Sequence, residues 1–89
     1  MMKNDELLTK LPNIGLSLAK ELNSIGVFRA EQLKQIGSAE ALFAIRGTSG
    51  KGCMNMLYAL EGAIRNIRWH HLTDKEKLEA KNAFYKLLE

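Results

Sequence analysis

Eighty-nine residues, 46% hydrophobic and 26% charged with a single proline, describe one small folded domain whose core must cover its apolar surface with few residues to spare. A net charge of +3, from 13 Lys and Arg against 10 Asp and Glu, excludes a broad basic surface but leaves enough cation to neutralise a phosphate or two. The lone Cys53 excludes an internal disulfide; with no apolar run of about 18 residues and no basic-then-apolar leader, the chain is expected to be cytoplasmic and off the membrane.

In chain order, Asn4 can cap a first helix, with Asp5 and Glu6 in its opening turn and Leu7, Leu8 and Leu11 as its apolar side. Pro12 stops it. After a tight Pro-Asn-Ile-Gly turn, Leu18, Leu22 and Ile25 recur at i, i+4 and i+7 on a second helix that Gly26 ends. Residues 30–36 read as a short third helix behind Arg29, a poor cap, with Leu33 and Ile36 inward and Gly37 closing it. Ser38 is expected to cap a fourth helix bearing Leu42 and Ile45, and the aperiodic stretch from Gly47 to Gly52 reads as a loop. From Cys53 on, Leu57, Leu60, Ile64 and Ile67 keep helical spacing for about four turns, predicting the longest, central helix. Thr73-Asp-Lys-Glu76 is a capping box that starts a final helix with Ala80, Phe84 and Leu87 on one face. No segment alternates like a strand. The expectation is an all-α bundle of five or six short helices in a single domain, residues 1–89.

The densest signal lies in residues 7–37, where a short apolar helix, a four-residue turn and another helix follow at once. This is a helix-hairpin-helix pattern. Such a turn aims backbone N–H groups and the positive end of the second helix outward, where a phosphate can sit. The usual turn reads Gly-hydrophobic-Gly; here it is Asn13-Ile14-Gly15, and asparagine is the non-glycine residue best suited to a left-handed conformation. Ile14 is expected to pin the turn to the core, with Gly15, Ser17 and Lys20 nearest a bound backbone. A second, weaker hairpin is legible at Ser49-Gly50-Lys51-Gly52, which again separates a short helix from a longer one. The candidate nucleic-acid contacts are therefore Asn13, Gly15, Ser17, Lys20, Gly50, Lys51 and Gly52. The alternative for the first turn is a purely structural αα corner.

LPNIG at 11–15, the IGV step at 25–27, CMNMLYALEGAIRNIRW at 53–69 and the Leu72 that follows occur together at a spacing that resembles the C-terminal domain of the TfoX/Sxy family of bacterial competence regulators. The resemblance covers about nine-tenths of the chain. It implies an all-α domain with helix-hairpin-helix character, linked to natural transformation and its transcriptional control, with no catalytic residues to transfer.

Other motifs carry less. GTSGKG at 47–52 lacks both the leading glycine and the Ser or Thr after lysine that a P-loop needs, and no strand precedes it. His70 and His71 point about 100° apart if helical and have no partner ligands nearby in sequence, so no metal is expected; they fit a helix end better. Trp69 is expected to pack under the last helix, Cys53 to be a small buried or half-buried residue, and the lysines of the last helix to form a solvated face. Met54, Met56 and Tyr58 add a second apolar side to the 53–69 helix, which must be enclosed or completed by a homodimer. No carboxylate pair, triad or ligand cluster points to an enzyme, and no cofactor is expected. The two functional classes left open are weak, sequence-independent contact with the DNA backbone, and a protein-interaction or dimerisation module.

Overall fold

The structure, a computed structural model, describes residues 8–89; the expected cap at Asn4, the acidic opening turn and Leu7 lie outside the described residues. Leu8 and Thr9 are helical. Five α-helices follow: α1 Leu16–Ser24, α2 Ala30–Ile36, α3 Ser38–Ser49, α4 Met54–Arg65 and α5 Asp74–Leu87, with a 3-10 turn at Trp69–His71 before α5. No strand occurs among the described residues, in agreement with the all-α expectation. None of these helices is long and apolar enough to cross a membrane.

The hub is α3 rather than α4. It packs against α1, α2, α4 and α5, and buries Ala41, Leu42 and Ile45 completely. Leu22, Leu33, Leu57, Leu60 and Phe84 close around that face, each inward on its own helix. Met54, Met56 and Tyr58, the second apolar side of α4, are partly buried against the same core.

Helix ends explain most boundaries. α1 ends in a Schellman arrangement, with Val27 N–H donating to the Leu22 carbonyl at 2.9 Å and Gly26 N–H to the Asn23 carbonyl at 3.0 Å. α4 stops in the same way, short of the expected four turns, because Asn66 takes a left-handed φ of 62° and Ile67 N–H turns back to the Gly62 carbonyl at 2.9 Å. Arg29 supplies no cap for α2. Gln32 replaces it, its Oε1 accepting from the N–H groups of Phe28 at 2.8 Å and Arg29 at 3.0 Å. The capping box at α5 forms as expected: Glu76 N–H donates to the Thr73 hydroxyl at 3.1 Å and Thr73 N–H to Glu76 Oε1 at 2.8 Å.

Two further expectations are corrected. Ser38 does not cap α3; Gly37 precedes the helix, and the buried Ser38 hydroxyl donates to Glu61 Oε1 of α4 at 2.6 Å. The stretch from Gly47 is not all loop, since α3 continues through Ser49 until Gly50 adopts a left-handed φ of 73°. Gly47 is tolerated inside the helix, whose ladder runs on to Gly50 N–H donating to the Arg46 carbonyl at 3.0 Å.

Candidate nucleic-acid interface

The turn before α1 is built from both ends. Leu11 N–H donates to the Leu8 carbonyl at 3.0 Å, and Ile14, only 5% exposed, anchors the turn in the core as expected. Between them Asn13 takes a φ of 72°, the left-handed conformation that its residue type tolerates. Its side chain does not face a ligand. Nδ2 donates to the carbonyls of Ile67 at 2.9 Å and Ala59 at 3.3 Å, while Oδ1 accepts from Trp69 N–H at 3.1 Å. Asn13 thereby staples the turn to the end of α4 and the loop beyond it.

That staple accounts for a glycine in the middle of a helix. A Cβ on Gly62 would stand 2.6 Å from Asn13 Nδ2, 2.8 Å from the Ile67 carbonyl oxygen and 3.2 Å from Trp69 Cα. Mid-helix glycine costs about 1 kcal/mol against alanine, and the close approach of three backbone segments is what it permits here.

Gly15 is different. It precedes α1 with φ −95° and ψ −174°, a conformation open to any residue, and a Cβ there would meet nothing within 4 Å. The fold does not require glycine at this position. No side chain caps α1, its first turn contains no acidic residue, and Gly15, Leu16, Ser17 and Lys20 are all exposed. The start of α1 is therefore an open, electropositive helix end with a serine and a lysine in its first turn and a half.

The second glycine-rich turn is held to α1 by Glu21. Its carboxylate accepts from Ser49 Oγ at 3.0 Å and pairs with Lys51 Nζ at 3.7 Å, and Lys51 N–H donates to Ser49 Oγ at 3.3 Å. Lys51 stays 72% exposed. Gly52 is demanded by the fold: with φ 115°, a Cβ would lie 2.6 Å from Leu42 Cδ1. The structure thus brings Lys51 against α1, where it pairs with Glu21, the residue after Lys20. The seven sequence candidates separate into an exposed set at Gly15, Ser17 and Lys20, an inward-turned Asn13, and the set at Gly50, Lys51 and Gly52 tethered through Glu21.

Sequence reasoning missed a polar chain on another face. Glu61 accepts from Ser38 Oγ and from Arg65 Nε at 2.6 Å, and Arg65 Nη1 donates to Glu76 Oε2 at 2.9 Å. The hydrogen bond to Glu61 holds the Arg65 guanidinium above its usual range; the Thr73 N–H, with Arg65 behind it, lowers the Glu76 carboxyl. Beside this chain lies a cleft of about 360 Å³ between the start of α3, the end of α4 and α5. The i, i+4 pair at Glu61 and Arg65 was legible, but Ser38 and Glu76 belong to other helices and gave no local sign.

The remaining candidates take plain roles. His70 and His71 are exposed in the 3-10 turn, and no group of three or more metal-binding side chains occurs among the described residues. Half-buried Trp69 stacks on His70 at 4.3 Å, and Lys77 of α5 lies 5.7 Å over its ring. Cys53 is exposed where a buried or half-buried residue was expected, because α4 begins only after it.

A family model described as the TfoX C-terminal domain matches residues 4–87. Two crystal structures from Listeria monocytogenes are similar. One is of an uncharacterized protein in a triclinic form, 42% identical, with a TM-score of 0.82 over 91% of this chain and 92% of that one. The other, of a protein of unknown function in a tetragonal form, is 43% identical, with a TM-score of 0.80 over 91% and 99%. No curated protein matches the chain.

Proposed function

This chain belongs to the TfoX C-terminal domain family, and from that premise we propose that it is a non-enzymatic module that grips the sugar-phosphate backbone of DNA weakly and without sequence preference, in the service of DNA transformation and its regulation. The observation that carries this reading is the start of α1. It is uncapped, free of acidic side chains and fronted by a glycine that neither backbone conformation nor packing requires. A phosphate at that end meets N–H groups with no Cβ in the way, the Ser17 hydroxyl, and the Lys20 ammonium. In this reading Asn13 shapes the helix-hairpin-helix turn, and Lys51, Gly50 and Gly52 form an auxiliary contact weakened by Glu21.

Fluorescence anisotropy with duplex, single-stranded and branched DNA at about 50 mM salt tests it. Binding is expected for the wild type, with Lys20→Ala lowering both the affinity and the salt slope by roughly one ion. Absence of binding to all three DNA forms rejects the reading.

A second reading, a protein-interaction or homodimerisation module with a structural hairpin, is favoured by α5. Leu78, Tyr85 and Leu88 are spaced at i, i+7 and i+10 and are 55%, 46% and 54% exposed. Light scattering on the same sample tests self-association through that stripe, with Tyr85→Asp expected to abolish any dimer.

A further inference from the structure

The cleft beside the Ser38-Glu61-Arg65 chain combines apolar and acidic linings. Its floor is apolar, from Ile36, Ala39, Ala80, Ala83 and Leu87, and the small side chains among them keep it open. Its rim has the opposite sign to the molecule: Glu40, Glu61 and Glu79 line it against the single cation Arg65, in a chain whose net charge is +3. The Arg65 guanidinium is hydrogen-bonded at 2.6 Å to Glu61 and at 2.9 Å to Glu76, and its charge reaches Glu79 only from beyond ion-pair distance, so the rim keeps an excess of carboxylates. Glu40 and Glu79 are exposed and enter no ion pair with another described residue. The Glu61 wall is held rigid by the buried Ser38 hydroxyl, so the concavity is pre-formed. About 360 Å³ lies at the small end of the range for ligand pockets and accommodates one or two large side chains.

An apolar floor under an acidic rim repels DNA and suits an aliphatic side chain flanked by cations. We propose that this cleft is the docking site for a segment of a partner protein that inserts an apolar anchor between α3 and α5 and lays arginine or lysine side chains on Glu40 and Glu79. This rests on the protein-interaction reading and shares no residue with the phosphate site on α1.

The test is an amide ¹H–¹⁵N titration of the full chain with three capped octapeptides, alternating Leu with Arg, Gln or Glu. The Leu-Arg peptide is expected to shift the amides of Gly37, Ala39 and Ala83, the Leu-Gln peptide to bind about tenfold more weakly, and the Leu-Glu peptide not to bind. The double variant Glu40→Gln/Glu79→Gln should weaken the Leu-Arg peptide about tenfold, the combined worth of two rim ion pairs at low salt. Ala83→Phe, at an exposed position, should block the cleft while leaving the charges in place. Equal binding of all three peptides, no shift at about 1 mM Leu-Arg peptide, or shifts of these amides by a DNA duplex would overturn the proposal. Shifts centred on Leu78 and Tyr85 would also overturn it, while leaving the protein-interaction reading intact; self-association by light scattering tests that reading separately.

Discussion

At residue scale, Asn13 and Gly62 act as one device, though 49 positions separate them. Removing the amide leaves the Ile67 carbonyl and the Trp69 N–H without their partner, so Asn13→Gly, which keeps the left-handed turn, should destabilise by about 2 kcal/mol. Gly62→Ala drives a methyl into Asn13 Nδ2 and should cost about 1–3 kcal/mol. Because both act on one contact, the double variant should be less destabilised than the two together by at least about 0.5 kcal/mol, read from urea midpoints at constant m. Gly15 makes the contrasting case. With an extended backbone and open space, Gly15→Ser should leave stability unchanged or raise it by a few tenths of a kcal/mol through a new cap, while reducing DNA affinity by crowding the phosphate. A melting curve and an anisotropy titration on the same variant separate the two effects. The glycine and the proline of the turn were legible in the sequence; which of the glycines the fold needs was not, since that depends on what stands opposite each missing Cβ.

At the scale of elements, helix ends were the most readable features, because both halves of each capping device lie within a few residues. Thr73 and Glu76 form the box their spacing predicts, and Thr73→Ala should cost about 1 kcal/mol. The same box has a pH signature. The Thr73 N–H, foremost, and Arg65 hold the folded-state Glu76 carboxyl below its ordinary value of 4.5. The unfolded chain therefore binds the proton first as pH falls, so the stabilisation is fully present above 4.5 and lost on acidification through the lower folded value. Glu76→Gln should flatten the acid limb of the stability-pH profile and leave its neutral and alkaline limbs parallel to the wild type. Ser38 shows the limit of local reading: a serine ahead of an apolar periodic run has the form of a cap, yet a carboxylate on α4 takes its hydroxyl while Gly37 precedes the helix.

For the whole molecule, charge sets the strength and form of any DNA complex. A +3 chain that exposes Lys20 and a half-paired Lys51 at its candidate interface can release few counterions. The slope of log K against log salt should therefore lie between about −1 and −3, and the dissociation constant should be micromolar or weaker at physiological salt. Anisotropy across a salt series measures both; a slope steeper than about −5 would mean a larger basic surface than α1 presents. Apolar surface is distributed as tightly as charge. Met54, Met56 and Tyr58 of α4 are partly buried in the monomer, while three of the large exposed apolar side chains lie along α5 and its C-terminal end, so Tyr85→Asp is the variant that tests self-association through that stripe.

Taken alone, the sequence determined that this chain is all-helical, where most of its helices begin and end, and to which family it belongs. These follow from patterns with periods of three or four residues and from motifs read along the chain. Tertiary structure alone decided that Asn13 faces inward onto α4, that Glu21 pairs with Lys51, that Ser38 answers Glu61, and that three helices leave an acid-rimmed cleft. Each of those pairings joins residues on different elements. Their distances are set by how helices cross around α3, which no local spacing records.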